Sequence, residues 1–248
     1  MIDNLICNWT ICTLGEPLRA RYFCFCLWEH RRIVHQKCII FPFLATSDTI
    51  YPPMFEVVFD CETQKFFDTV EEFDASKLGV SVLSLYFREN GKDGEVRSFW
   101  EKDLDKAWEI FQKADRIIGF NSINFDVPVL SPYAPSYFSK LPHFDILAHV
   151  RESQGKRVSL DALAKATLGT SKTDTGENAI LYWQKGDRES LEKLKKYCEA
   201  DVLITRDLYD FGLKNGYVKF VDFWNEVREV KVDFSYPEEK PIAQTSLF

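Results

Sequence analysis

Phe55-Glu56-Val57-Val58-Phe59-Asp60-Cys61-Glu62-Thr63 reads as a short, mostly apolar strand whose end carries two carboxylates two residues apart. Side chains alternate across a strand, so Asp60 and Glu62 project from the same face. Two anions side by side at the end of a core strand repel each other. They are also costly to desolvate unless a cation sits between them. Hard divalent cations favour such an all-oxygen site. The rest of the chain can be read as supplying further ligands for it.

Composition sets the limits. At 248 residues and 46% hydrophobic, the chain can bury one substantial core without splitting into several domains. The net charge is −7, so the surface as a whole does not attract nucleic acid. Any contact with a phosphate backbone must rely on a local basic patch and on metal ions. No apolar run approaches the roughly 20 residues that span a bilayer, so no membrane partner is expected. Of the seven cysteines, Cys7, Cys12, Cys24, Cys26 and Cys38 precede residue 54, leaving Cys61 and Cys198 inside expected core elements. Free core thiols point to a reducing compartment, hence the cytoplasm.

Residues 1–53 differ from the rest of the chain: they are rich in Cys, Trp and Arg, lack a sustained period of 3.6 or 2, and end in Tyr51-Pro52-Pro53. The only methionines are Met1 and Met54. The expectation is an irregular N-terminal extension, disordered or an artefact of the assigned start, with translation beginning at Met54. N-terminal sequencing of the native protein tests this. Cys24, Cys26, His30, His35 and Cys38 fit no trusted zinc spacing.

From Met54 the pattern is orderly. Gly79–Phe87 alternates as a strand, Asn90-Gly91 marks a turn, and Glu95–Trp100 is a third strand. Asp103 is a plausible N-cap for a helix carrying Leu104, Ala107, Trp108 and Phe111. Arg116–Phe120 and His143–Ile146 read as short strands. Ser159 caps a helix over Leu160–Leu168 that stops at Gly169. Asp187 opens a longer helix running to about Phe211, before Gly212, and 217–234 reads as two more short strands. These elements make a mixed α/β sheet flanked by helices, as a single domain over 54–234 with a flexible tail at 235–248.

Three more side chains suit the acidic site. Asp126 lies after the fourth strand at the start of a helix. Asp201 interrupts the apolar stripe of Leu194, Cys198, Thr205 and Leu208, where an unpaired carboxylate costs several kcal/mol. Tyr197, four residues earlier, shares its helical face. Any one of these acids alone reads as a solvated or capping residue; their order along the chain carries the argument.

That order resembles a known family. Asp60-x-Glu62-Thr63, Asn121-x-x-x-Phe125-Asp126 and Tyr197-x-x-x-Asp201 look like the three exonuclease motifs of the DEDD superfamily, in its tyrosine (DEDDy) branch, on a ribonuclease H-like fold. Ile117-Ile118-Gly119-Phe120-Asn121-Ser122 through Asp126, and Leu168-Gly169 with Lys172 shortly after, are similar to the proofreading domain of family B DNA polymerases. The resemblance covers about residues 55–212 and implies a stand-alone 3′–5′ exonuclease with two divalent ions, Mg2+ or Mn2+. It implies that Asp60 bridges both ions, that Glu62 and Asp201 complete the first, and that Asp126 holds the second through water. By the same resemblance Tyr197 orients the attacking water, and Asn121 and Phe125 position the 3′-terminal nucleotide. For Phe125 a core position is an equal reading. Lys172 meets a phosphate by resemblance, against the plainer reading of a solvated lysine. Asp145, at a strand end, ranks below the four acids, and His143 is assigned nothing.

The chain ends Gln244-Thr245-Ser246-Leu247-Phe248, which resembles the bacterial sliding-clamp-binding pentapeptide, with Gln244, Leu247 and Phe248 as anchors. The expected substrate is single-stranded DNA or 3′ ends, in repair or replication. An RNA-trimming nuclease shares the same site, since nothing here reads a 2′-hydroxyl. A non-catalytic nucleic-acid or clamp adaptor has no use for a buried acidic cluster.

Overall fold

The computed structural model describes residues 54–70 and 74–236, together with the backbone of three strands nearer the N-terminus. The chain divides into two compact units, residues 1–51 and 52–248. In the first, Asn8–Cys12 (β1), Tyr22–Glu29 (β2) and Arg32–Cys38 (β3) form an antiparallel sheet in the order β1-β2-β3. These strands are absent from the pattern reading, because Tyr22–Trp28 is an almost unbroken run of apolar residues with no alternation to reveal them.

The second unit is built on a five-stranded mixed sheet. Phe55–Thr63 (β4), Val80–Glu89 (β5) and Glu95–Trp100 (β6) make an antiparallel meander. Arg116–Gly119 (β7) and His143–Asp145 (β8) add on in parallel, giving the order β6-β5-β4-β7-β8. The central β4 alternates between two layers. Val57, Phe59 and Cys61 face a core with Asp105–Phe111 (α1) and Asp126–Leu130 (α2). Val58, on the opposite face, packs with Leu160–Leu168 (α4) and Arg188–Asn215 (α6). Asp60 and Glu62 share the parity of Val58, so the strand directs both toward the α6 layer.

Local signals set most boundaries. The carboxylate of Asp145 caps Ile146–Gln154 (α3), the Ser159 hydroxyl caps α4, and the Asp187 carboxylate caps α6. Leu104, not Asp103, precedes α1; Asp103 closes a 3-10 turn and pairs with Lys106. Gly176–Lys185 (α5), capped by Thr175, and α3 are additions to the expected elements.

The expected end of α6 near Phe211 is corrected. The helix continues through Gly212 and stops at Gly216, whose left-handed φ of 76° suits glycine. Gly212 answers a packing need instead: a Cβ there would collide with the buried Phe234 ring. Gly212→Ala is therefore expected to lower stability by about 1–3 kcal/mol in chemical denaturation, the usual cost of overpacking.

Tyr217–Val221 (β9) and Val227–Lys231 (β10) form a separate hairpin. The chain stays ordered past the expected boundary at 234. Arg116 donates to the carbonyls of Phe234 and Ser235, each at 2.7 Å, and stacks on the Tyr236 ring. Among the described residues no helix is long and apolar enough to cross a membrane.

Candidate active site

Every even position on β4 after Phe55 except Val58 is a carboxylate: Glu56, Asp60 and Glu62. The contrast between its two ends locates the site. Glu56 is buried but fully answered: Arg88 donates to it at 2.6 Å, Tyr209 at 3.1 Å and Tyr236 at 2.5 Å. At the other end, Asp60 and Glu62 meet Asp201 of α6, and one carboxylate oxygen from each lies within 4.8 Å of the others. Glu62 and Asp201 are buried, while Asp60 keeps part of its surface on a cavity of about 450 Å³.

Asp126 reaches the cluster from the other layer. It opens α2, and its Oδ1 accepts from the Cys61 backbone N–H at 3.0 Å, holding it behind the end of β4. Its oxygens stand outside the group formed by the other three acids. Tyr197 is buried one turn before Asp201 on the same face of α6, as the spacing predicts.

Lys172 is not a solvated lysine. Its ammonium lies 2.5 Å from Asp201 Oδ2 and 5.1 Å from the Tyr197 ring centre. It is an intramolecular cation standing among acids that lack one. A single ammonium does not balance them, and burial beside one another raises the pKa of each carboxyl group. Burial, and then the charges of Asp126, Glu62 and Asp201, push Asp60 well above the carboxylate range. Burial, and then Asp201, does the same to Glu62. Burial pushes Asp126 up to about 7, and Asp201 is raised by burial against the opposing pull of Lys172. The Tyr197 phenol is raised, first by burial and then by Asp201, so it keeps its proton.

The loop between β7 and α2 depends on Asp145, a residue the motifs underrate. Its carboxylate is buried and accepts from the backbone N–H groups of Asn121 at 2.8 Å, Ile123 at 3.1 Å and Ala148 at 3.2 Å. Asn121, at a left-handed φ of 62°, is thereby fixed on the cavity wall beside Asp60. Phe125 is half-buried, packed against the α1–α2 core with its ring 5.8 Å from that of Phe67. His143 bonds the Phe138 carbonyl at 2.9 Å and belongs to the fold.

Sequence reading treats Cys198 as a small hydrophobe. Its thiol also lies 3.3 Å from the Asp60 carbonyl and 3.7 Å from Asp60 Oδ2, backing that carboxylate from α6. Only a buried cysteine three residues before Asp201 hints at this contact. Gln244, Leu247 and Phe248 lie outside the described residues.

The sequence profile of the RNase H superfamily matches residues 57–211. The chain belongs to the RNase H superfamily. No curated protein matches the sequence. Among solved structures, it is similar to E. coli exonuclease I in complex with a 5cy-dT13 oligonucleotide. The identity is 14% over 65% of this chain and 41% of that one, with a TM-score of 0.38. The E. coli enzyme in complex with a dA16 oligonucleotide gives 14%, 65%, 41% and 0.38 in the same order. A product-bound structure of exonuclease I gives 16%, 65%, 43% and 0.37. The chain spans less than half the length of these proteins. All four acids and Tyr197 fall within the segment matched to the RNase H superfamily.

The donor set suits hard divalent cations. It is all oxygen, clustered and short of positive charge, and Asp201 Oδ1 is buried with no hydrogen-bond partner among the described residues.

Proposed function

We propose that this RNase H superfamily domain is a DEDDy-type, metal-dependent 3′–5′ exonuclease that removes nucleotides from the 3′ ends of single-stranded DNA. The observation that carries the reading is the meeting of Asp60, Glu62 and Asp201 within 4.8 Å, with Asp126 held behind them. Such a cluster is too electrostatically costly to serve as core packing.

Asp60, Glu62 and Asp201 would hold one Mg2+ or Mn2+ ion, and Asp60 with Asp126 a second. Bound there, the ions would acidify a water and stabilise the leaving oxygen of an in-line phosphodiester displacement. The protein's own groups do the rest. Tyr197 stays protonated and donates a hydrogen bond that orients the attacking water. Lys172 leaves Asp201 when a cation replaces it, and its ammonium turns to the scissile phosphate. Asn121, fixed through Asp145, contacts the terminal nucleotide. Hydrolysis breaks the P–O3′ bond, releasing a 5′-mononucleotide and a shortened strand with a free 3′-hydroxyl.

The deciding assay incubates 3′-labelled single-stranded DNA and RNA with the full chain in Mg2+ or Mn2+, with and without chelator. Trimming of DNA that stops with chelator is expected. RNA trimmed faster than DNA would reassign the substrate, and neither being shortened would end the reading. Tyr197→Phe is expected to lower kcat by about ten- to a hundredfold, the scale of one hydrogen bond to a charged group. Calorimetric Mn2+ affinity should stay unchanged.

A role in repair or replication belongs to the same proposal, as does a cytoplasmic site for its free thiols Cys61 and Cys198. Gln244, Leu247 and Phe248 are proposed to anchor a sliding clamp. Clamp pull-down that persists after deletion of 244–248 would exclude this.

A further inference from the structure

The connection from α3 to α4 places an arginine that no motif claims. Gly155 ends α3 with a left-handed φ of 68°, and Ser159 caps α4. Val158 and Leu160 are both buried, so the segment is pinned to the core on the C-terminal side of Arg157. Arg157 itself is exposed and lines the same cavity as Asp60, Asn121, Ser159 and Lys172.

Four arginines of this acidic protein have carboxylates in reach: Arg88 has Glu56 and Asp210, Arg97 has Glu95, Arg206 has Asp207, and Arg228 has Asp222. Arg116 donates to carbonyls instead, and Arg151 and Arg188 have no carboxylate partner among the described residues, but of these seven none lines the cavity. Among the described residues Arg157 pairs with no carboxylate. A guanidinium kept on a short tether in a cleft, without an anion of its own, is set up to receive one from solution. Its planar fork matches phosphate oxygens. The need for it is electrostatic. A polyanionic strand entering this cleft runs toward four carboxylates, on a chain of net charge −7. The scissile phosphate is served by the cation site and by Lys172. The next phosphate along the strand finds no such help from them.

We infer that Arg157 binds a backbone phosphate of the single strand upstream of the bond being cut, and so makes the site prefer chains over single nucleotides. This rests on the exonuclease reading and deepens it, and the same geometry makes Arg157 a positioning residue.

The test compares wild type, Arg157→Ala and Arg157→Lys in the full chain. One substrate is a 3′-labelled oligothymidylate. The other is the p-nitrophenyl ester of thymidine 5′-monophosphate, which carries one phosphate only. Arg157→Ala is expected to raise KM for the oligonucleotide about tenfold with kcat unchanged, the scale of one lost charged contact. It should flatten the plot of log affinity against log salt by about 0.7, one phosphate contact on a single strand. Hydrolysis of the ester should not change. Arg157→Lys should restore the salt slope and part of the affinity. An oligonucleotide KM and salt slope equal to wild type would overturn the inference. So would equal losses on both substrates, which mark damage to the site as a whole.

Oligonucleotide affinity, read by fluorescence anisotropy in Ca2+, separates the two proposals. Wild type that binds but does not cut would sink the nuclease reading alone, and the Arg157→Ala affinity still decides this one. Wild type that does not bind ends both.

Discussion

Asp60→Ala is expected to leave a folded protein whose metal-dependent trimming of a 3′-labelled strand falls by at least about a thousandfold, on the order of 4 kcal/mol of barrier. Asp60 stands at the centre of the cluster: it lies with Glu62 and Asp201, and it feels the charge of Asp126 as well. The fold should survive because the Asp60 side chain supports nothing else. Its Oδ2 has only the weak thiol of Cys198 at 3.7 Å, and removing it relieves repulsion from three neighbours. The control is circular dichroism and the thermal midpoint in metal-free buffer, which should be unchanged or raised. A folded Asp60→Ala protein that trims as fast as wild type would show that chemistry happens elsewhere.

The second large effect is on stability. In metal-free protein the carboxyls of Asp60, Glu62, Asp126 and Asp201 are all raised above their ordinary values, Asp126 to about 7. The unfolded chain releases these protons near pH 4, while the folded protein still holds them. The unfolded state therefore binds fewer protons over that interval, and stability falls as pH rises. It is fully present below about pH 4 as far as these groups are concerned, and is lost through pH 7 and above. Divalent cations oppose the loss because they bind the ionised carboxylates of the folded state alone. Scanning calorimetry at pH 5 and pH 8, with chelator or with Mn2+, should show a much larger stabilisation by the ion at pH 8. Asp60→Asn should raise the metal-free midpoint at pH 8 and lose most of the response to Mn2+. A metal-free midpoint that does not fall between pH 5 and pH 8 would mean that the acids are not packed as described.

The fold was legible where local chemistry sets it. The β4–β6 meander comes from alternation and the Asn90-Gly91 turn. The starts of α4 and α6 come from Ser159 and Asp187, whose side chains accept from the first-turn N–H groups in the way their positions announce. What failed did so for both long-range and local reasons. Gly212 looks like a helix stop, yet α6 runs through it; the glycine answers instead to the ring of Phe234, more than twenty residues later, which leaves no room for a Cβ. The helix α3 hides behind Asp145, which looks like a strand end and also serves as an N-cap. The strand β2, an almost unbroken apolar run, has no alternation by which to be found.

The site divides in the same way. The sequence alone determined which residues carry carboxylates, that Asp60 and Glu62 share a strand face, and that Tyr197 and Asp201 share a helix face. Backbone periodicity imposes those relations wherever the elements lie. Only the tertiary structure decided that Asp201, and not Asp126, closes the group with Asp60 and Glu62. It alone placed Lys172 as the partner of Asp201, set Phe125 half-buried against the α1–α2 core, and put Arg157 on the cavity wall. Proximity between charges from separate segments depends on how layers stack over the sheet, and a period of two or 3.6 residues holds no record of that stacking.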